Sequence, residues 1–369
     1  MTEEQTRRAA QDLIYLAGCA VDEKKPDLKK VGDTDAVYAF ASRHMLTAAA
    51  SFALESAGQK DQRSDKAIAK ALKRKIIFDM AYAQIKAELE KAGIWYMPLK
   101  GTVLQDFYPK AGMREMADHD ILFDADRADD VKAMMESLGF KAEHFGSGNH
   151  DCYYKAPVLN FEMHRSLFST SYDEKLYGYY CDIGRRLIGE GCEKHFSPED
   201  FYLYMTAHEY KHYSGSGTGL RSLLDTYVYL QKQELDMVYV TAEAEKLGIA
   251  DFEAANRSLA QHLFSGGALT AAEKEMLGYI LSSGTYGTVI NSVSNKLRKN
   301  RWSKARYMLY RFFVPVSPKN KDYSMFAAEY PFFYKHKILL PLLPLYRTVR
   351  VLRSGRLKTE LKALWTAKR

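Results

Sequence analysis

The sequence predicts an α+β fold in which a small mixed β-sheet is flanked by largely helical N- and C-terminal regions. In the first quarter of the chain, apolar residues recur at the spacing of amphipathic helices. Short strand patterns then alternate with helical patterns, and after Pro198 helical patterns dominate again. We therefore expect a helical N-terminal subdomain, an α/β core, a helical domain that completes a cleft and a basic, aromatic-rich C-terminal extension, at residues 1–93, 94–196, 197–294 and 295–369.

The N-terminal segment is expected to be helical over residues 6–20 and 34–56, and in one long helix that ends near residue 92. Ser64 or Asp65 is the predicted N-cap of the long helix, and Gly93 follows its end. Its apolar residues recur at helical spacing, at Ile68, Leu72, Ile76, Ile77 and Met80. No residue pattern here indicates catalysis, so we expect this segment to pack beside the sheet.

The core alternates strands and helices in a regular order. Strands are predicted at residues 94–99, 118–123, 141–145, 152–155 and 158–164. Helices are predicted at residues 101–107 and 126–138, and the turn residues 146–149 indicate a hairpin. This order predicts a small mixed α/β unit.

Two carboxylates, Asp118 and Asp120, stand at the start of an apolar run. In a strand, residues i and i+2 point to the same face, so these two project together while His119 faces the other way. Like charges this close repel each other, and a divalent cation relieves the repulsion. Oxygen ligands suit Mg²⁺ or Mn²⁺. The alternative is a solvated acidic loop before a buried strand.

A third carboxylate is expected on a later strand. Residues 158–164 alternate, with an apolar face of Leu159, Phe161 and Met163 and a polar face of Asn160, Glu162 and His164. If the apolar face packs against helices, Glu162 turns toward a cleft and completes a three-carboxylate cluster. Such a cluster can hold two metals for in-line phosphoryl transfer. Otherwise Glu162 is an ordinary polar-face residue.

Basic and glycine residues around this acidic pair suggest phosphate binding. Lys100, Gly101 and Thr102 mark a strand-to-helix junction, where a glycine lets backbone N–H groups approach a phosphate. The alternative is a plain turn. Arg114 is predicted either to bind a phosphate through two parallel hydrogen bonds or to pair with Glu115 or Asp118.

This ordered set resembles the uncharacterised nucleotidyltransferase family of the DNA polymerase β-like superfamily, over roughly residues 99–225. The superfamily usually has Gly-Ser or Gly-Gly at the turn where Gly101-Thr102 stands here, whereas Lys-Gly is the form associated with this family. The resemblance implies that Asp118, Asp120 and Glu162 are the catalytic metal ligands. It also implies that Lys100 and Gly101 lie at the triphosphate.

The segment from His208 to His212 has two interpretations. It lies on a helix predicted to start at Ser197-Pro198, and it matches His-Glu-x-x-His, in which two histidines hold Zn²⁺ and the glutamate activates water. The resembled family itself carries a His-x-x-Lys-His helix followed by Arg-x-x-x-Asp, here Arg221 and Asp225. The resemblance therefore implies that His208, Lys211 and His212 face the nucleotide. His164 is expected either to line the same site or to pair with neighbouring acidic residues. The alternative is that this polar face of the helix is purely structural and pairs with Arg221 and Asp225.

Composition places the protein among globular proteins of a reducing compartment. Apolar residues make up 47% of the chain, and its four cysteines have no metal-type or redox spacing. No signal-peptide core and no run of about 18 apolar residues is present, so we expect a cytoplasmic protein without a spanning helix.

The net charge of +7 arises from the C-terminal extension. Residues 295–369 contain 19 Lys and Arg against three Asp and Glu. Residues 338–345 are apolar but twice broken by proline, and a candidate interfacial helix follows, with apolar residues Val349, Leu352, Leu357, Leu361 and Leu364 among basic ones. We expect contact with a membrane surface, a nucleic acid or an acidic partner, unless the extension is a solvated charged face.

The family resemblance, together with these patterns, implies a Mg²⁺- or Mn²⁺-dependent nucleotidyltransferase that uses a nucleoside triphosphate such as ATP. The hydroxyl acceptor is unidentified and could be a small molecule, a protein or an RNA. Two other classes stay open, a zinc metallohydrolase that uses His208, Glu209 and His212, and a catalytically inactive binding or scaffold protein of the same fold.

Overall fold

The protein is described by a computed structural model. It describes residues 1–59, 61–143, 145–146, 148–169, 173–317, 326–327, 329–353 and 356–366.

Within these residues five strands form one mixed sheet: β1 (Tyr96–Leu99), β2 (His119–Phe123), β3 (Lys141–Glu143), β4 (His150–Lys155) and β5 (Leu159–His164). Their spatial order is β1-β2-β5-β4-β3, and β2 and β5 pair in parallel while the other neighbours are antiparallel. The predicted α+β class with a small mixed sheet and helical flanks is confirmed.

One face of the sheet is covered by two helices. α4 (Gln62–Lys91) and α6 (Ala128–Ser137) pack on the apolar side of β2 and β5, as the alternation of residues 158–164 predicts. On this face His119 stacks on Phe78 of α4, with ring centroids 4.6 Å apart. The polar side chains of both strands therefore point to the opposite face.

The opposite face is covered only in part. α7 (Glu174–Tyr180), α8 (Pro198–Gly215) and α10 (Met237–Leu247) form an apolar cluster over Met97, Leu99 and Leu122. This cluster leaves the end of the sheet that carries Asp120 facing a cleft. The predicted helix start at Ser197 is confirmed, since its side chain caps α8.

The first helices pack against helices from the second half of the chain. α1 (Glu3–Val21), α2 (Thr34–His44) and α3 (Thr47–Ser56) share one core with α9 (Leu220–Lys232), α11 (Ala250–Ser265) and α12 (Ala271–Ser283). The N-terminal helical segment is thus joined to the later helices, and among its described helices it is α4 that lies on the sheet.

Three helix predictions need correction. The predicted helix at 34–56 is two helices, because Met45 adopts the left-handed conformation (φ 52°) and ends the first. The long helix begins at Gln62, because Asp61 and not Ser64 or Asp65 is its N-cap, accepting from the Ser64 N–H at 2.7 Å. The helix after Lys100 is one α turn, α5 (Gly101–Leu104), followed by a 3₁₀ turn.

Strand ends differ from prediction by a few residues. β1 and β2 begin at Tyr96 and His119, and β4 begins at His150 rather than residue 152. β3 and β4 form the predicted hairpin, although residues 144 and 147 lie outside the described part of the chain. The start at His150 matters for the site below.

The C-terminal extension is mainly helical where it is described. It begins within α13 (Val289–Lys299) and contains α14 (Lys304–Phe313), α15 (Pro331–Lys335), α16 (Leu343–Arg353) and α17 (Arg356–Thr366). The proline-broken apolar run lies mainly in a 3₁₀ helix, Lys337–Leu342, and the candidate interfacial helix corresponds to α16 and α17. The side chains of Leu352 and Leu357 lie outside the described residues. Among the described helices, none is both long and apolar enough to cross a membrane.

Candidate active site

A cleft of about 380 Å³ opens between the polar face of the sheet and helices α8 and α9. Its walls include every predicted site residue except Thr102: Lys100, Gly101, Arg114, Asp118, Asp120, Glu162, His164, His208, Lys211 and His212. Thr102 is buried, and its hydroxyl has no hydrogen-bond partner among the described residues. Side chains that are more than 100 positions apart in sequence thus meet in one cavity.

The acidic cluster is built by the parallel pairing of β2 and β5. That register places Asp120 directly beside Glu162 on the cleft face. Ligand-type atoms of Asp120, Glu162 and His164 all lie within 4.8 Å of one another. Asp118, one residue before β2, lines the same cleft.

The electrostatics of Asp118 show that negative charge is crowded here. Burial, and then the charges of Asp120 and Glu162, raise the pKa of Asp118 to about 6. Lys100 and Arg221 act in the opposite direction but do not outweigh these effects. The carboxylates are therefore short of positive charge, which a divalent cation would supply.

Asp120 is the most strongly held of the three. Its Oδ1 atom lies 2.5 Å from Lys100 Nζ and 2.8 Å from His164 Nε2. Burial disfavours the charged form of Asp120, yet Lys100 and His164 hold its pKa well below the usual value. The pKa of Lys100 is correspondingly raised, since Asp120, Tyr204 and Glu162 outweigh its own burial. Both groups of this pair are charged at neutral pH.

Lys100 also has a strained backbone. Its φ of 46° and ψ of −120° are unusual for a residue with a side chain, and such strain costs about 1–3 kcal/mol. This conformation turns the chain from β1 into α5. It places Lys100 with its ammonium against β2, where the ion pair with Asp120 forms.

Gly101 is required for close packing. A Cβ at this position would overlap the Arg114 guanidinium and lie 2.9 Å from the Met116 sulfur. Arg114 in turn donates to both carboxylate oxygens of Asp225, at 2.8 and 2.9 Å, and Tyr108 donates to the same carboxylate at 2.7 Å. The ion-pair partner of Arg114 is therefore Asp225. It is neither Glu115 nor Asp118, the two partners considered from the sequence.

A second arginine, Arg221 of α9, lines the same cleft. Its Nη1 donates to the Glu115 carbonyl oxygen at 2.7 Å. Burial, and then the charge of Arg114, lower its pKa. Asp225 pairs with Arg114, and Arg221 donates to a backbone carbonyl. These contacts therefore do not provide the alternative pairing of the α8 face with Arg221 and Asp225.

Helix α8 presents two imidazoles and one ammonium to the cleft. The Nε2 atoms of His208 and His212 lie 3.3 Å apart. Burial and neighbouring cations, chiefly Lys211 and Lys100, lower the pKa of His212 to about 4, and His208 is shifted in the same direction. Burial and Lys100 also lower the pKa of Lys211. This wall is therefore polar and cationic, with neutral histidines.

Glu209 is not placed as the base of a zinc site. Glu209 borders the cleft, but one of its carboxylate oxygens accepts a hydrogen bond from Asn256 Nδ2 of α11 at 2.9 Å. Burial raises the pKa of Glu209 to about 8. Among the described residues, no third His, Cys, Asp or Glu atom lies within 4.8 Å of both His208 and His212. Among the described residues the two histidines therefore lack a third ligand, and the zinc alternative has no complete site.

Two further residues at the acidic cluster were missed from the sequence. His150 Nε2 lies 3.7 Å from Glu162 Oε2, and the His150 and His164 rings are 4.9 Å apart. His150, Cys152 and Glu162 form a second group with metal-ligand atoms within 4.8 Å. An earlier start of β4 is the signal that would have found them, because His150 and Cys152 then share the face of Glu162.

Comparisons with known proteins agree with this geometry. The family model described as "Uncharacterised nucleotidyltransferase" matches residues 31–265, which include the sheet and every cleft residue named above. No curated protein and no solved structure matches the sequence. The match supports an activity of the nucleotidyltransferase type.

Proposed function

The chain belongs to the uncharacterised nucleotidyltransferase family, and on that premise we propose that it is a Mg²⁺-dependent transferase of nucleoside monophosphates. The donor would be a nucleoside triphosphate and the acceptor a hydroxyl group. The observation that carries the proposal is the β2–β5 register, which sets Asp120 beside Glu162 in a cleft that Asp118 also lines.

The donor atoms fit a hard divalent cation. Asp120 and Glu162 offer carboxylate oxygens that lie within 4.8 Å of each other and of the His164 imidazole. Asp118 lines the same cleft and offers a third carboxylate, although it is not part of that close group. Oxygen-rich sets of this kind suit Mg²⁺ or Mn²⁺ better than the nitrogen and sulfur sets typical of zinc. When bound, the cation would supply neutralisation of phosphate charge and activation of the acceptor hydroxyl.

The remaining residues would bind and orient the donor. Lys100 and Lys211 place ammonium groups in the cleft near the carboxylates, where they would meet the triphosphate. His208 and His212, which are neutral, can hydrogen-bond the nucleotide without adding charge. Holding donor and acceptor in line contributes much of the rate in such transfers.

The proposed reaction is an in-line substitution at the α-phosphorus. The acceptor oxygen forms a bond to that phosphorus, and the bond from the α-phosphorus to the bridging oxygen breaks. Pyrophosphate leaves with the electron pair, and the hydroxyl proton is released to water.

Calorimetry tests the proposal directly. Wild-type protein is titrated with ATP, GTP, CTP and UTP in Mg²⁺, beside the double variant Asp118→Asn/Asp120→Asn and the single variant Glu162→Gln. We expect at least one triphosphate to bind in a Mg²⁺-dependent way, and the double variant to lose about tenfold or more in affinity. Absence of binding, or binding unchanged in the double variant, would contradict the proposal.

The two alternatives give different results. A silent member of the fold would bind triphosphate, but would release no pyrophosphate with any acceptor. A zinc hydrolase would purify with stoichiometric zinc that is lost on His212→Ala.

We further propose a cytoplasmic location. Nucleoside triphosphates and Mg²⁺ are plentiful there, and the cysteines Cys19, Cys152, Cys181 and Cys192 are all free thiols.

A further inference from the structure

A second cavity, of about 490 Å³, lies between α4 and the loop that precedes β2, and it adjoins the cleft. The two cavities share Arg114, Met116 and Ala117 as walls. Ala117 directly precedes Asp118, so the second cavity ends next to the acidic cluster. Its volume is that of a small-molecule site.

The wall formed by α4 is strongly basic. Arg63, Lys66, Lys70 and Arg74 follow at spacings of three and four residues, so they form one stripe on the helix. Lys66 and Lys70 are exposed, and neither has an ion-pair or hydrogen-bond partner among the described residues. Arg63 is paired with Asp35. Two cations therefore face the cavity without compensation.

Glu115, the acidic residue among the described residues that line this cavity, does not neutralise the α4 wall. Its carboxylate accepts a hydrogen bond from the backbone N–H of Ala48, at the start of α3, at 3.1 Å. Glu115 is thus engaged by a helix N-terminus, where negative charge is stabilised. The net charge of the cavity stays positive.

Arg74 connects this basic wall to the acidic cluster. Its Nη2 donates to the Ala117 carbonyl oxygen at 2.6 Å, and its guanidinium lies 4.9 Å from the Phe78 ring centroid. Its Nε is buried and has no partner among the described residues. A buried, unused donor on a cation is suited to an anionic oxygen.

The rest of the cavity is less polar. Tyr38, Met45, Ala67, Ala71 and Met116 contribute to its walls. A ligand here would place its uncharged part against these side chains and its anionic group on Lys66, Lys70 and Arg74.

We propose that this cavity binds the acceptor, and that the acceptor is a small phosphorylated compound with a free hydroxyl. This inference rests on the proposed function, since the cavity ends where the attacking hydroxyl would have to lie. The phosphate binds at the α4 stripe, and the hydroxyl points past Ala117 toward Asp118.

Matched substitutions on α4 test the proposal. Lys70→Gln removes a cation from the cavity, and Lys73→Gln removes an exposed cation that lies on the same helix outside it. The double variant Lys66→Gln/Lys70→Gln removes both uncompensated charges. The probes are inorganic phosphate, glucose 6-phosphate against glucose, and a short single-stranded RNA, each measured by calorimetry.

We expect wild-type protein to bind glucose 6-phosphate and phosphate but not glucose. The double variant should lose about tenfold in affinity for both, while Lys73→Gln stays within about twofold of wild type. Mg²⁺-triphosphate binding should stay unchanged in the double variant. The double variant Asp118→Asn/Asp120→Asn should lose affinity for the triphosphate and keep its affinity for inorganic phosphate.

Other outcomes overturn the inference and leave the proposed function standing. If the double variant loses triphosphate affinity to the same extent, the cavity serves the donor. If RNA binds and displaces the phosphate probes, the acceptor is a polynucleotide. If no phosphate probe binds, or if Lys73→Gln has the same effect as Lys70→Gln, the cavity is not an anion site.

A second, independent observation concerns the C-terminal extension. Large apolar side chains there are exposed: Leu309 by 61%, Phe313 by 54%, Ile338 by 91% and Leu345 by 57%. Basic residues stand between them, and the extension has 19 Lys and Arg against three Asp and Glu. Exposed apolar residues among cations are typical of surfaces that bind anionic lipid interfaces.

We propose that helices α14 and α16 bind an anionic membrane surface peripherally. In α16, Leu345 and Val349 are both exposed and one turn apart. Arg350 is the next residue of this helix, and its guanidinium contacts Glu329. Apolar burial and attraction between basic residues and lipid headgroups would act together.

Vesicle flotation tests this second proposal. Wild-type protein should float with vesicles of phosphatidylserine and phosphatidylcholine but not with phosphatidylcholine alone, and high salt should release it. Leu345→Ser/Val349→Ser should abolish flotation, whereas Val238→Ser, at an exposed valine of α10, should not. Equal flotation with neutral vesicles, or RNA binding without vesicle binding, would overturn it.

Discussion

Gly101 leaves the space that the Arg114 side chain occupies in the wall of the cleft. Arg114 is fully buried against Asp225, which lies 111 residues later in the chain. A buried ion pair of this kind contributes little net stability while intact, but breaking it exposes an uncompensated buried charge. The space that Gly101 leaves open is therefore a condition for the Arg114–Asp225 pair.

Substituting Gly101→Ala should displace Arg114 and break this pair. We expect the free energy of unfolding to fall by about 3 kcal/mol, with loss of triphosphate binding. Thermal or urea unfolding and calorimetry measure the two effects. Gly178→Ala on α7 is the matched control, because no atom lies within 4 Å of a Cβ built there. A Gly101→Ala protein as stable as that control would disprove this packing role.

Glu209 makes stability depend on pH. Burial raises its pKa to about 8 in the folded protein, from an ordinary value of 4.5. Between these two values the folded state holds a proton that the unfolded state has lost, so stability falls as pH rises through this window. Above about pH 8 Glu209 is ionised in both the folded and the unfolded state, so the free-energy cost of burying its charge no longer changes with pH.

Glu209→Gln should remove that penalty. We expect the variant to gain on the order of 2–4 kcal/mol over wild type at pH 9 and little at pH 5. Its amide could donate to Asn256 Oδ1, which has no partner among the described residues. Denaturant unfolding at several pH values measures the difference, and Glu234→Gln at an exposed site is the control. A gain that is the same at pH 5 and pH 9 would refute the assignment.

At the scale of elements, the parallel pairing of β2 with β5 creates the site. The alternation of residues 158–164 was enough to predict which face Glu162 occupies, and burial on the sheet confirms it. The register itself could not be read from the sequence, because it depends on how α4 and α6 fix the two strands. His150 was missed for a similar reason, since turn residues hid the true start of β4.

Helix α8 should contribute charge to donor binding. Replacing Lys211 by methionine keeps an unbranched side chain of nearly the same length and removes its charge. We expect Lys211→Met to weaken triphosphate binding about tenfold, measured by calorimetry in Mg²⁺. Lys232→Met at the exposed end of α9 should leave the affinity unchanged. Equal affinities for the two variants would show that the cationic face of α8 does not meet the donor.

At the scale of the molecule, the fold class followed from local patterns, but the connections between segments did not. Helix periodicity located α1 to α4, yet it gave no sign that α1 to α3 would share a core with α9, α11 and α12. The break at Met45 was also hidden, because a methionine in the left-handed conformation has no sequence signature. Long-range contacts such as Arg114–Asp225 arise only when these segments pack together.

We propose that Asp118, Asp120 and Glu162 together hold a divalent cation against a triphosphate. Anomalous diffraction from crystals soaked with Mn²⁺ and a non-hydrolysable triphosphate tests it most directly. We expect a manganese peak bounded by these three carboxylates, with the phosphates reaching Lys100 or Lys211. A peak at His208 and His212 instead, or no peak in the cleft with triphosphate bound elsewhere, would contradict it.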